Sequence, residues 1–208
     1  MNHEKHGLRI KDERGNLILE VGPHIMRSHP KFAEQIGIIT AYWAQAEANL
    51  NCLFAILLNT APEQAYQQLK KHRSAASATK GARTLATANL SGAELNSVLE
   101  ALDQLDEARA QRNRIQHDIW ALKGIDFERL FTIHTDKYFN FVIEMINLSD
   151  KSDSTIIEDY ITSAMKFAAT ISDSYTISDL QSIAKKIDDA SRLLLNVMFS
   201  TWLARGNS

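Results

Sequence analysis

Residues 109–120 read Arg109-Ala110-Gln111-Arg112-Asn113-Arg114-Ile115-Gln116-His117-Asp118-Ile119-Trp120 and gather the side chains best suited to chemistry. His117 is of the type that exchanges a proton near neutral pH. Asn113 stands four residues before it, so on a helix the amide can orient the imidazole or share a ligand with it. Arg112 supplies a permanent cation whose forked donors suit a phosphate or carboxylate. Five residues before His117, it reaches the same region from the side, with its stem laid across the helix.

The element that must position these residues begins upstream. Leu95, Val98, Leu99, Leu102 and Leu105 recur at spacings of three and four, the signature of an amphipathic helix with one buried stripe. Continued at about 100° per residue, the stripe runs through Arg109, Asn113, Gln116, His117 and Trp120, with Arg112 at its edge. Polar groups on such a stripe need partners or a site to line. Ser91-x-x-Glu94 has the form of a capping box and marks the start of this helix, and Lys123-Gly124 marks its expected end.

A second helix is expected from Pro30, with Phe32, Ile36, Ile39, Trp43, Leu50, Phe54 and Leu57 buried and Glu47 close to the centre of that stripe. Glu47 opposite Arg109 or Arg112 is the simplest pairing, since a carboxylate and a guanidinium resolve each other's burial. Residues 62–89 read as two short helices or one broken helix. Within them Lys70, Lys71, Arg73, Lys80 and Arg83 form a run without an acid, either a solvated basic face or a surface for phosphates.

Elsewhere, Leu8-Arg9-Ile10 and Leu17-Ile18-Leu19-Glu20-Val21 flank the turn-prone Asp12-Glu13-Arg14-Gly15-Asn16, as in a hairpin or extended arm. Residues 126–148 are aromatic and β-branched and are expected to form two strands joined at His134-Thr135-Asp136-Lys137, with a helix over 137–147 as the alternative. Ile157 to Ala168 suggests another helix. Ser178-x-x-Gln181 opens a last one, with Leu180, Ile183, Ile187, Leu194, Met198 and Trp202 on one face. The expected fold is therefore all-α: an up-down helical bundle of four to five helices at 30–208, with a small N-terminal β arm at 1–29 and a β-hairpin in an insertion at about 126–175.

Composition narrows the function classes. The 208 residues carry a formal charge of −2 and are 45% hydrophobic, so bulk charge directs the chain to neither nucleic acid nor an anionic membrane. The longest apolar run, Leu53-Phe54-Ala55-Ile56-Leu57-Leu58, is far short of the roughly 20 residues that span a bilayer. No signal peptide is expected at Met1, and the single Cys52, read as a small buried hydrophobe, fits a reducing cytoplasm. His24, His29, His72 and His134 read as surface or loop residues. No histidine has metal-ligand spacing with Cys or acids, and no phosphate loop or nucleophile elbow is present, so neither metal nor cofactor is expected.

Arg112-Asn113-x-x-x-His117 resembles the Arg-x4–6-His motif of HEPN domains (higher eukaryotes and prokaryotes nucleotide-binding), in the form with a polar residue after the arginine. In a chain with seven histidines, an arginine followed at that range by histidine is expected about once by chance. Requiring the asparagine lowers the expectation to roughly 0.02. The Trp43-x-x-x-Glu47-x-x-Leu50 helix is similar to the same family's uncharacterised bacterial branch, and the likeness covers residues 31–121 and, loosely, the final helix.

The resemblance implies a metal-independent endoribonuclease with Arg112, Asn113 and His117 as catalytic residues and Glu47, Arg109 and Gln116 in support. It further implies a homodimer, an RNA substrate tracked by the Lys70–Arg83 segment, and a cytoplasmic role as toxin or phage-defence effector with an antitoxin or other protein partner. The family also includes non-catalytic interaction or nucleotide-binding modules. Asp118 stands where many active relatives have a small residue, and it is expected to pair with Arg114 at i, i+4.

Overall fold

The computed structural model describes residues 7–124, 126, 128–149 and 156–206. Eight helices account for 74% of these residues, and five short strands form one antiparallel sheet. The chain divides into two compact units. Unit 1 is Met1–Ile36 with Asn113–Gln181, and unit 2 is Gly37–Arg112 with Ser182–Ser208. Three helices continue through the division: α2 (Pro30–Leu58), α5 (Gly92–His117) and α8 (Ile177–Gly206). The boundary in α5 falls between Arg112 and Asn113, inside the polar motif. Among the described residues, no helix is long and apolar enough to cross a membrane.

Unit 1 is built on the sheet β1 (Leu8–Lys11), β2 (Leu17–Val21), β3 (Ile119–Lys123), β4 (Leu130–Ile133) and β5 (Ser174–Tyr175), paired in that order. The β1–β2 turn forms as its sequence dictates: Asp12 Oδ1 accepts from the Arg14 and Asn16 amides, and Gly15 takes a φ of 79°. Side chains alternate across the strands. Leu19, Val21, Ala121 and Ile133 face one core, closed by Phe141 of α6 (Thr135–Ser149) and Phe167 of α7 (Ile156–Thr170). The two phenylalanine rings stack with centroids 4.0 Å apart. Between Leu19 and Val21, Glu20 points the other way, toward Arg9 and toward His24 of α1 (His24–Ser28).

Unit 2 is helical. It contains most of α2, then α3 (Pro62–Leu69), α4 (Ala75–Asn89), α5 as far as Arg112, and α8 from Ser182. Ile39, Trp43, Leu50, Leu53, Leu57, Leu102, Leu105, Ile187 and Leu194 are buried at the spacings the stripes require. The buried Asn49 donates to Ser191 O at 3.1 Å and Ser191 Oγ at 3.0 Å. Asn89 donates to Leu57 O at 3.0 Å and satisfies a carbonyl at the end of α2.

The sheet overturns the expected all-α bundle with a separate β arm and an inserted hairpin. Residues 119–123, expected as the last turn of the motif helix, are strand β3 instead. They join the N-terminal hairpin to β4 and make a single sheet of segments distant in sequence. Helix α5 stops at His117, so Trp120 leaves the stripe. Its indole N–H donates to Ile115 O at 3.3 Å, and Thr135 Oγ1 donates to His117 O at 3.2 Å, capping two carbonyls that the helix end strands.

The second expected strand of the hairpin is helix α6. Tyr138, Phe141 and Met145 turn to the core, while Phe139, Ile143 and Ile146 are exposed. With apolar residues on both faces the helical period is hidden, and the β-branched content dominates the pattern. At the start of α8 the capping pair is Thr176 with Asp179, two residues before the expected box: Thr176 N and Oγ1 both donate to Asp179 Oδ2 at 2.8 Å. Trp202, expected on the buried face of α8, is exposed together with Phe199 and Leu203.

Candidate functional site

The unit 2 part of the motif is an engaged cluster. Arg112 is half-buried, with its guanidinium carbon 5.3 Å from the centroid of the Trp43 ring, within cation–π range. Burial pulls Arg112 below the usual arginine range, and the Glu47 carboxylate works against that pull. Of the two arginines expected to meet Glu47, it is therefore Arg112 that feels its charge. Arg109 pairs with Asp106 of its own helix at 3.1 Å. Asp106 also receives Arg83, at 3.1 Å, and Arg83 reaches Asp103 at 2.7 Å. Burial opposes the charge of Arg83, but the bonds to Asp106 and Asp103 outweigh it and hold its pKa above the usual value.

The unit 1 part carries the exposed end of the motif. Asn113 and Gln116 are half-buried, and His117, the last residue of α5, is exposed. Arg114 is joined to Asp173, the residue before β5, and lies 3.8 Å from Asp118, the expected i, i+4 partner. Trp120 and Tyr175 rings sit 5.8 Å apart beside this group, and burial raises the Tyr175 phenol above its ordinary pKa despite the nearby Arg114. The turn at the end of α5 is thus held by Thr135, Trp120 and Arg114, while the imidazole faces solvent.

No family model matches the chain, and neither a curated protein nor a solved structure shows significant similarity to it.

Most of the basic segment is exposed. Lys70 lies 4.6 Å over the Tyr66 ring and Lys71 donates to Gln68 Oε1 at 2.8 Å, both local contacts that leave the charge at the surface. Lys80 is exposed on α4, whereas Arg83 is committed to Asp103 and Asp106. Arg73 lies on the rim of a cleft of about 260 Å³ that Glu47 also lines. Unit 2 therefore brings together three of the expected residues: Arg112 through its charge interaction with Glu47, and Glu47 with Arg73 through the cleft.

Three contributors were not expected from sequence. Trp43 reads as plain core, yet its face carries Arg112. Asn51, one turn after Glu47, lines the cleft; the i, i+4 spacing is the signal that could have found it. His72 lies in the loop between α3 and α4, within the surface-or-loop expectation, but it also lines the cleft, half-buried, with Nδ1 2.9 Å from Ser77 Oγ. His24 does depart from that expectation: it is in helix α1, 2.7 Å from the buried Glu20. Among the described residues no three His, Cys, Asp or Glu side chains converge as a metal site would require.

Proposed function

We propose that the chain is an endoribonuclease of the metal-independent kind that the Arg-Asn-x-x-x-His motif implies. The ribose 2′-hydroxyl attacks the adjacent phosphorus, the bond to the 5′-oxygen breaks, and the products are a 2′,3′-cyclic phosphate and a 5′-hydroxyl. His117 moves the proton, Arg112 offsets the charge that builds on the phosphorane, and Asn113 orients the imidazole or the substrate. Gln116, Arg109 and Glu47 support the motif, while Lys70, Lys71, Arg73 and Lys80 follow the RNA backbone. A two-fold homodimer brings two motifs to one substrate, and the cellular role is that of a cytoplasmic toxin or phage-defence effector, held in check by an antitoxin or another protein partner.

The observation that carries this reading is the exposed imidazole of His117 on a helix end whose backbone is capped by Thr135. The test is incubation of the purified protein with RNA in EDTA. Cleavage to cyclic-phosphate ends is expected, and His117→Ala should abolish it with little change in melting temperature. Intact RNA, from a protein whose circular dichroism is that of a folded helical chain, removes the reading.

A second reading is favoured by the engagement of Arg112 with Trp43 and Glu47, which suits a non-catalytic module that binds a nucleotide or another protein. On that reading Arg112→Ala lowers stability, and His117→Ala changes nothing measurable in RNA.

A further inference from the structure

Strand β1 forms one edge of the unit 1 sheet and is lightly secured to it. It pairs with β2 alone, over four residues, and the register shifts between Ile10 and Lys11. Leu8 and Ile10 pack against the core but are only half-buried, whereas β2 buries Leu19, Glu20 and Val21. An edge strand with so little buried apolar surface opens locally at a smaller cost than unfolding of the whole domain.

A charged contact supplements this pairing. The buried Glu20 carboxylate accepts Arg9 Nη2 from β1 at 2.9 Å and stands 2.7 Å from His24 Nε2 of α1. Among the described residues, Arg9 and His24 are the ionisable groups that bear on Glu20, and its register partner on β3 is the apolar Leu122. The backbone at Gly7 lies against Val21 O and the His24 ring, so closely that a Cβ there would stand 2.6 Å from His24 Cε1. The start of β1 therefore roofs the Glu20–His24 pair.

A proton on Glu20 removes the charge that draws Arg9 inward. The guanidinium keeps its own charge and is already 42% exposed, so it gains by moving fully into water. Two basic side chains are then left facing a neutral carboxyl. The bonds from His24 and Arg9 hold the folded Glu20 pKa below the ordinary 4.5 despite burial. The tie is thus complete near neutrality and is lost as the pH falls through that lowered value.

We propose that β1 is an acid-released strap: when Glu20 takes up a proton, Leu8–Lys11 detaches from β2 while the rest of the sheet and the helices stay folded. Detachment makes β2 the edge of the sheet and uncovers the apolar surface under Leu8 and Ile10, so an adhesive edge is presented only in acid. Glu20, Arg9 and His24 lie outside the polar motif, and the proposal stands apart from the ribonuclease reading.

Nuclear magnetic resonance of the ¹⁵N-labelled full chain, followed from pH 7 to pH 3, tests it. The amide signals of Leu8–Lys11 should move to random-coil positions, while those of Ala121 and Leu122 on β3 keep their folded positions. Glu20→Gln, neutral at every pH, should show β1 detached already at pH 7. Should that variant fail to fold, Arg9→Gln at the exposed end of the contact serves instead, and its β1 signals should no longer change between pH 7 and pH 3. The proposal falls if the β1 signals of the parent hold at pH 3, or if β1 and β3 are lost at the same midpoint. It falls equally if Arg9→Gln shows the same β1 transition as the parent.

Discussion

Two glutamates at the centres of polar clusters, Glu20 in unit 1 and Glu47 in unit 2, have opposite surroundings. Glu20 is buried, and both its oxygens are used: Oε1 lies 2.7 Å from His24 Nε2, while Oε2 accepts Arg9 Nε at 3.1 Å and Nη2 at 2.9 Å. Glu47 is half-buried on the wall of a cleft, and its charge steadies Arg112. The first arrangement ties strand β1, strand β2 and helix α1 together and leaves no room for a ligand. The second keeps a carboxylate available to one. A polar residue on a core-facing pattern can thus mean a closed network or an accessible site, and the partners decide which.

Removing the carboxylate of Glu20 gives the largest expected effect. Glu20→Ala leaves His24 and Arg9 without their acceptor and should cost about 2–4 kcal/mol in urea unfolding, discounted for the partial exposure of Arg9. A loss under about 0.5 kcal/mol would place Glu20 in the same class as Glu47. The same contact predicts a pH dependence. Burial works to raise the Glu20 pKa, but the bonds from His24 and Arg9 outweigh it and hold the folded value below the ordinary 4.5. Its contribution to stability is therefore complete above the unfolded pKa and is lost as the pH falls through the folded one. The stability gap between the parent and Glu20→Gln should shrink as the pH is lowered from 6 to 3, and a gap that stays constant contradicts the assignment.

Arg112→Ala should have an intermediate effect of about 1–2 kcal/mol, from the lost contact with Trp43 and the packing of its stem. Quenching of tryptophan fluorescence provides a second readout, since the Trp43 face becomes accessible; an unchanged spectrum and stability would show that the pair is not formed. The smallest effect belongs to Glu47→Gln, about 0.5 kcal/mol or less, because water can replace the carboxylate at a half-exposed position. A loss comparable to that of Glu20→Ala would erase the contrast between the two glutamates.

Local chemistry made much of the helical framework legible. The stripe from Phe32 to Leu57 formed as a helix and is buried at Ile39, Trp43, Leu50 and Leu57. Pro62 sits in the first turn of α3 and Gly92 begins α5 one residue after Ser91, as the capping signals indicated. The turn at Asp12–Asn16 is equally local, since Asp12 bonds amides two and four residues on.

Strand β3 was illegible for a different reason. Ile119 to Lys123 continues a helical stripe when read alone, and it becomes a strand through pairing with Leu19–Val21 and Phe131–Ile133, about 100 residues before it and about 10 after. The candidate site divides along the same line. Arg112, Asn113 and His117 stood out by type and spacing, and Glu47 by its place on an apolar stripe. Neither the Trp43 face under Arg112 nor the contact of His72 with Ser77 leaves a trace in local periodicity.

What the amino-acid sequence determined by itself is what depends on neighbours within about one helical turn or one tight turn: the long helices, their starts, the first hairpin and the polar motif on α5. What only the tertiary structure decided is which segments share a sheet, where α5 ends, and which carboxylate is closed and which is open. Those outcomes are set by strand pairing and by packing between distant segments, whose energies come from contacts that no local pattern encodes.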